Sequence, residues 1–114
     1  MDKAVEESLF FGTGKKDGYV TQEEWTLFLD NTVTPLFPDG LTVTSASGQW
    51  KGANGFIIKE PSYVLTLVHF GEKTKVEAIK EIITAYKSKF QQEAVLRVTH
   101  SVCISLTKTP PLYQ

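Results

Sequence analysis

Five side chains have the types needed to hold and polarise a small molecule: Gln49, Trp50, Glu60, Tyr63 and Arg97. Arg97 stands in an alternating apolar and polar segment, and a partly buried guanidinium demands a carboxylate, phosphate or carbonyl partner. Glu60 or Glu93 would satisfy it internally and fix the last strand, because buried charges are normally paired. The functional alternative has Arg97 hold an anionic or carbonyl-bearing ligand. Trp50 and Tyr63 then form apolar walls, Gln49 stands beside them, and Glu60 accepts a proton. His69 offers a second base, and with it Arg97 would stabilise developing oxyanion charge. If His69 lines the cavity of Arg97 and Glu60, acid–base chemistry follows; if it packs under helices, binding or a structural role leads.

Other chemistries lack their residues. Cys103 and His100 are three apart on one strand, so alternation sends them to opposite faces and denies a thiol–imidazole pair. The single cysteine excludes an internal disulfide and multi-cysteine metal sites. Two histidines without a third neighbouring ligand do not make a metal site, and neither metal nor cofactor is expected. Thr13 to Trp25 imitates the second half of a calcium loop, but Thr13 and Lys15 occupy the first two ligand positions, and lysine repels the ion. Gly12-Thr-Gly-Lys-Lys falls short of a phosphate loop, with Leu9 and Lys16 where glycine and a hydroxyl residue are required.

These residues need a scaffold, and the chain is long enough for one domain only. Its 114 residues are 41% hydrophobic, with 12 Lys plus Arg against 13 Asp plus Glu, a size that buries roughly two thirds of the unfolded surface. A net charge of -1 and a pI near 6.1 argue against nucleic acid as a partner. No run reaches the roughly 18 apolar residues of a membrane span, and Met1 to Glu7 lacks a signal core. The expected location is therefore the cytoplasm as written, with export only if an upstream signal was removed.

Ser8 to Gly12 reads as a strand followed by a loop. Thr21 and Glu24 form a capping box, and Trp25, Phe28, Leu29 and Val33 share a helical stripe that Pro35 ends. Leu41 to Trp50 alternates toward Asn54-Gly55, a hairpin signal. A turn centred on that pair sets Trp50 opposite Lys59, Gln49 opposite Glu60, Ala46 opposite Tyr63 and Thr44 opposite Leu65, with a bulge at Pro61. A second helix is predicted from a Thr74/Glu77 box through Val76, Ile79, Ile82, Ile83, Tyr86 and Phe90. In the last strand Leu96, Val98, Val102 and Ile104 alternate with Arg97, Thr99, Ser101 and Cys103.

Strand, helix, strand, strand, helix, strand is the order of an α+β, ferredoxin-like sandwich: a four-stranded antiparallel sheet with both helices on one face. Residues 1–7 form an N-terminal extension, 8–106 the single domain and 107–114 a flexible tail. The uncovered face, expected to carry the polar side of the last strand, must be solvated, bind something or meet another subunit.

Ser8-Leu-Phe-Phe-Gly12, Trp25-Thr-Leu-Phe-Leu-Asp30, Thr34-Pro-Leu-Phe-Pro-Asp-Gly-Leu-Thr-Val43, Gly48-Gln-Trp50, Glu60-Pro-Ser62 and Glu93-Ala-Val-Leu-Arg-Val98 resemble a family of small bacterial proteins classed as a domain of unknown function. Its TPxFPxGLTV, GQW and VLR elements appear in order between Ser8 and Leu106. The resemblance implies no activity. Many such relatives carry an export or lipoprotein signal, and the arginine they have at the position of Leu36 is missing here. The expected protein is a homodimer joined through the open sheet faces, with a small-molecule pocket around Gln49, Trp50, Glu60, Tyr63 and Arg97. Its rivals are an enzyme resembling the dimeric α/β-barrel oxygenases and isomerases, with Glu60 or His69 as base, and a protein-interaction module using an edge strand.

Overall fold

A computed structural model describes residues 1–107; most of the predicted tail lies outside them. β1 (Asp2–Gly12) runs up the middle of a sheet that also contains β4 (Thr42–Lys51), β5 (Ile57–His69) and β6 (Leu96–Ile104). The order is β4-β5-β1-β6 and every pairing is antiparallel, which is the ferredoxin-like arrangement. Two short strands, β2 (Gly14–Lys15) and β3 (Gly18–Tyr19), fold as a separate hairpin after β1. β1 begins six residues before Ser8, and Asp2 already pairs with Ile104. Residues 2–7 are therefore sheet and not an extension, because the alternation of Val5, Glu7, Leu9 and Phe11 continues without a break.

Alternation gives the sheet two unlike sides. Leu9, Phe11, Leu65 and Leu67 are buried beneath the helices. Phe10, Val64, Leu96 and Val98 occupy the other side, the open face. β6 pairs Arg97 with Leu9 and Thr99 with Glu7, so Arg97, Thr99, Ser101 and Cys103 are on the helix side, while Leu96, Val98, Val102 and Ile104 share the open face with one polar residue, His100. That inverts the expectation. The polar side is tolerated because β6 is an edge strand: Thr99, Ser101 and Cys103 are exposed there.

α1 (Gln22–Phe28) starts at the predicted box: Glu24 N–H donates to Thr21 Oγ1 at 3.1 Å, and Thr21 N–H donates to Glu24 Oε1 at 3.0 Å. Pro35 does not stop the helix. A π-helical turn, Leu29–Val33, widens the ladder, Thr34 N–H reaches the Leu29 carbonyl, and α2 (Thr34–Leu36) continues through the proline. The wider turn removes the clash a proline makes with the carbonyl four residues back. α3 (Lys73–Phe90) has Glu72 and not Thr74 at its N-cap position, since Gly71, at φ 81°, has already turned the chain; the Glu72 side chain bonds no helix N–H, and its Oε1 accepts instead from Phe70 N–H at 2.6 Å. Trp25, Phe28, Val33, Ile79, Ile82, Tyr86 and Phe90 close the core on Leu9, Phe11, Leu65 and Leu67. The Phe11 ring meets Trp25 at 5.1 Å and Tyr86 at 4.6 Å, which places both helices on one side of the sheet.

The β4–β5 hairpin differs from expectation by one residue. Gly52 N–H donates to the Phe56 carbonyl and Gly55 N–H to the Gly52 carbonyl, both at 2.9 Å, so Ala53, Asn54 and Gly55 make a three-residue turn. Gly55, at φ 86°, takes the left-handed position that such a turn requires. Trp50 consequently faces Ile58, Gln49 faces Lys59, Ala46 faces Ser62 and Thr44 faces Val64. Pro61 causes no bulge. It lies just past the last β1 pair, Gly12 with Ser62, where no ladder partner needs its N–H, and its carbonyl accepts from Thr13 Oγ1 at 2.5 Å.

Candidate functional site

On the open face, where β1 ends and the hairpin leaves the sheet, a pocket of about 390 Å³ is lined by Phe10, Ala46, Trp50, Val64, Gln92, Leu96 and Glu60. That volume is in the range of small-molecule sites. Glu60 is only 7% exposed. Its Oε1 accepts from Trp50 Nε1 at 3.0 Å and its Oε2 from Gly14 N–H at 2.5 Å. Room for the carboxylate comes from two glycines: a Cβ on Gly12 would overlap Oε1 and one on Gly14 would overlap Oε2.

The segment that delivers the Gly14 N–H is itself tied down. Tyr86 Oη donates to the Gly12 carbonyl, Gln92 Nε2 donates to the Gly14 carbonyl at 2.8 Å, and Val20 N–H donates to the Thr13 carbonyl at 2.7 Å. Gln92 reaches Gly14 because Gln91 ends α3 in the left-handed conformation, φ 57°, and turns the chain back. Burial first, and then the charge of Glu60, raises the Tyr86 phenol far above its ordinary range. The pocket floor is thus a carboxylate fixed by two donors, facing a lining that is part apolar and part polar.

A second polar centre lies across the sheet. Glu7 is fully buried, and its carboxylate accepts from Arg97 Nε at 3.0 Å and Nη2 at 2.6 Å, and from Thr99 Oγ1 at 2.6 Å. His69 Nε2 stands 3.0 Å from Glu7 Oε2. Since His69 Nδ1 accepts from Gly71 N–H at 3.0 Å, Nε2 is the nitrogen that carries the proton toward Glu7. Burial pushes the Glu7 carboxyl up. The hydrogen bonds from Arg97, Thr99 and His69 and the charge of Arg97 together outweigh that, and lower it to about 2.

The five residues singled out by chemistry do not converge. Trp50 and Glu60 meet in the pocket. Tyr63 stacks on Trp25 on the helix side, ring centroids 4.4 Å apart and planes within 4°, so it is core and not a pocket wall. Gln49 borders the pocket, but its register with Lys59 directs it to the side away from Trp50. Arg97 lies across the sheet on Glu7. An anion in the pocket would meet the like charge of Glu60 without the guanidinium assigned to hold it. His69 is 3% exposed on the helix side, so Glu60, His69 and Arg97 share no cavity, and the acid–base arrangement built on all three is not formed.

Glu7, Gly12, Gly14 and Gln92 escaped the sequence reading. Glu7 had a signal, being the one charge among the core-facing residues Glu7, Leu9 and Phe11. The glycines looked like loop, since their purpose depends on a carboxylate far along the chain, 46 residues beyond Gly14.

No curated protein matches the chain. Among solved structures, a phage SAM lyase in complex with S-methyl-5'-thioadenosine superposes with a TM-score of 0.69 at 12% identity, covering 86% of this chain and 81% of that one. The same lyase in its apo state gives 0.66 at 13%, covering 87% and 81%. CutA from Synechococcus elongatus gives 0.56 at 10%, covering 90% and 79%. At these identities the likeness is one of fold. A family model described as protein of unknown function (DUF3574) matches residues 6–106.

Proposed function

We propose that this chain, which belongs to the DUF3574 family, holds a small, largely apolar ligand in the open-face pocket, gripping a hydrogen-bond donor of that ligand with Glu60. The observation that supports this is the preorganised carboxylate: buried, oriented by an indole N–H and a backbone N–H, and accommodated only because residues 12 and 14 are glycine. A carboxylate offers about four acceptor positions, and these two bonds leave capacity for a guest. A second copy of the chain, packed on the open face, covers the pocket mouth.

Nucleosides are the first class to try, because S-methyl-5'-thioadenosine, bound by the phage lyase of similar fold, combines a flat ring with an amino donor. Titration with S-methyl-5'-thioadenosine, followed through tryptophan emission, should give saturable quenching that Trp50→Phe abolishes. Glu60→Gln should weaken binding roughly tenfold, the worth of one hydrogen bond to a charged acceptor. Unchanged affinity in a folded Glu60→Gln variant would sink the reading.

A further inference from the structure

The carboxylate at the pocket floor has two neutral donors and, among the described residues, no ion-pair partner. The ion pairs of the described residues engage Glu6, Glu7, Glu24 and Glu77, and none reaches Glu60. The nearest strand neighbours with positive charge, Lys51 and Lys59, alternate to the opposite side of the hairpin with Gln49. Arg97 is spent on Glu7. Polar groups do line the pocket, Ser47, Ser62, Gln92 and a second acid, Glu93, among them, but none is a cation, and Phe10, Ala46, Val64 and Leu96 would bring a bound molecule against an apolar wall, where an unpaired charge is costly.

Three of the lining residues are aromatic, and of these Phe11 is buried in the core. Phe10 and Trp50 are each 39% exposed in the isolated chain, so both offer ring surface to a guest. Aromatic rings beside a carboxylate are the parts from which sites for quaternary and protonated amines are made, because the ring quadrupole and the anion attract the same charge while the hydrocarbon around it is desolvated. An anion would be repelled by Glu60. A neutral donor would fill an acceptor position of Glu60 and still leave its charge unpaired.

We infer that the pocket selects a cation carried on an apolar body, an ammonium or sulfonium group, with Glu60 as its counter-ion and Phe10 and Trp50 as its walls. The inference rests on the ligand-binding reading above and sharpens it from donor to cation.

Benzyltrimethylammonium and neopentylbenzene have nearly the same shape and differ in charge, so titrating each against the purified protein by tryptophan emission isolates the electrostatic contribution. The cation should bind about tenfold tighter, as one desolvated charge pair with ring contacts predicts. In Glu60→Gln the two affinities should fall within about twofold of each other, the loss residing in the cation alone. Equal affinities in the wild-type protein, or tighter binding of the hydrocarbon, would overturn the cation inference while leaving a working pocket. Absence of binding by both, alongside saturable quenching by S-methyl-5'-thioadenosine, would also overturn it and spare the parent reading. Failure of all three probes would end both. The wild-type comparison stands even if Glu60→Gln does not fold.

Discussion

A carboxylate beneath two helices survives only when donors close around it, and Glu7 receives four hydrogen bonds, two from Arg97 and one each from Thr99 and His69. The bonds join β1, β5 and β6, so Glu7 ties three strands together at one point. That Arg97 needs an acidic partner was legible in the sequence. Which partner was not, because strand parity decides it, and Glu7 became visible only once β1 was extended back to Asp2. The linkage has a definite sign. A carboxyl lowered to about 2 in the folded protein contributes its stability above its unfolded value, near 4.5, and loses it as pH falls toward about 2. Arg97→Met should therefore cost about 3 kcal/mol at neutral pH, since it strands a buried charge. The gap to wild type should close between about pH 4.5 and about pH 2, where Glu7 becomes protonated and no longer needs the guanidinium. Urea unfolding of both proteins across that window measures it, and a gap independent of pH would refute the assignment.

Elements were easier to foresee than their joints. The helix stripes follow from spacing, and Trp25, Phe28, Val33, Ile79, Ile82, Tyr86 and Phe90 are all buried as that spacing requires. Joints depend on single backbone conformations. One extra residue in the turn at Ala53-Asn54-Gly55 moves every β4–β5 pair by one, and a slip of one changes which side chains share a face; this separated Gln49 from Glu60. Proline likewise left a signature that a π-helical turn overrides. The end of α3 shows the same dependence and permits a test. Gln91 adopts φ 57°, a conformation that costs a side-chain-bearing residue about 1 kcal/mol and glycine almost nothing. Its N–H bonds to the Lys87 carbonyl, as does that of Gln92, so the cap itself needs only the backbone. Gln91→Gly should raise stability by about 1 kcal/mol in thermal unfolding and leave the pocket, which uses Gln92, able to bind. A lower melting temperature would mean that the Gln91 side-chain bond to the Ser88 carbonyl outweighs the backbone gain.

At the scale of the molecule, the sheet has more apolar surface than its helices cover. Four strands in this order were legible from the succession of elements, but the character of the uncovered side was not, because reading β6 as polar outward assumed a register that only pairing with β1 fixes. The open face presents Phe10, Val64, Leu96, Val98, Val102 and Ile104, with Leu96 61% exposed, and its even-numbered strand positions carry no lysine or arginine. Strands of nine residues, four abreast, make a face of about 30 by 19 Å. Two such faces pressed together would remove roughly 1,200 Å² from water, the lower bound of stable association. A dimer resting on an interface at that lower bound is expected to be weak, in the micromolar range, because little would remain after the cost of lost rotational and translational freedom. Sedimentation should accordingly show dimer at tens of micromolar, monomer after dilution through about 1 µM, and monomer throughout for Leu96→Asp. Leu96 lines the pocket as well as the face, so the folded Leu96→Asp monomer should also lose affinity for S-methyl-5'-thioadenosine, whereas Val102→Asp, distant from the pocket lining, should dissociate the dimer and weaken binding only through the lost cover. A wild-type chain that stays monomeric at tens of micromolar would mean that a second copy does not cover the apolar face.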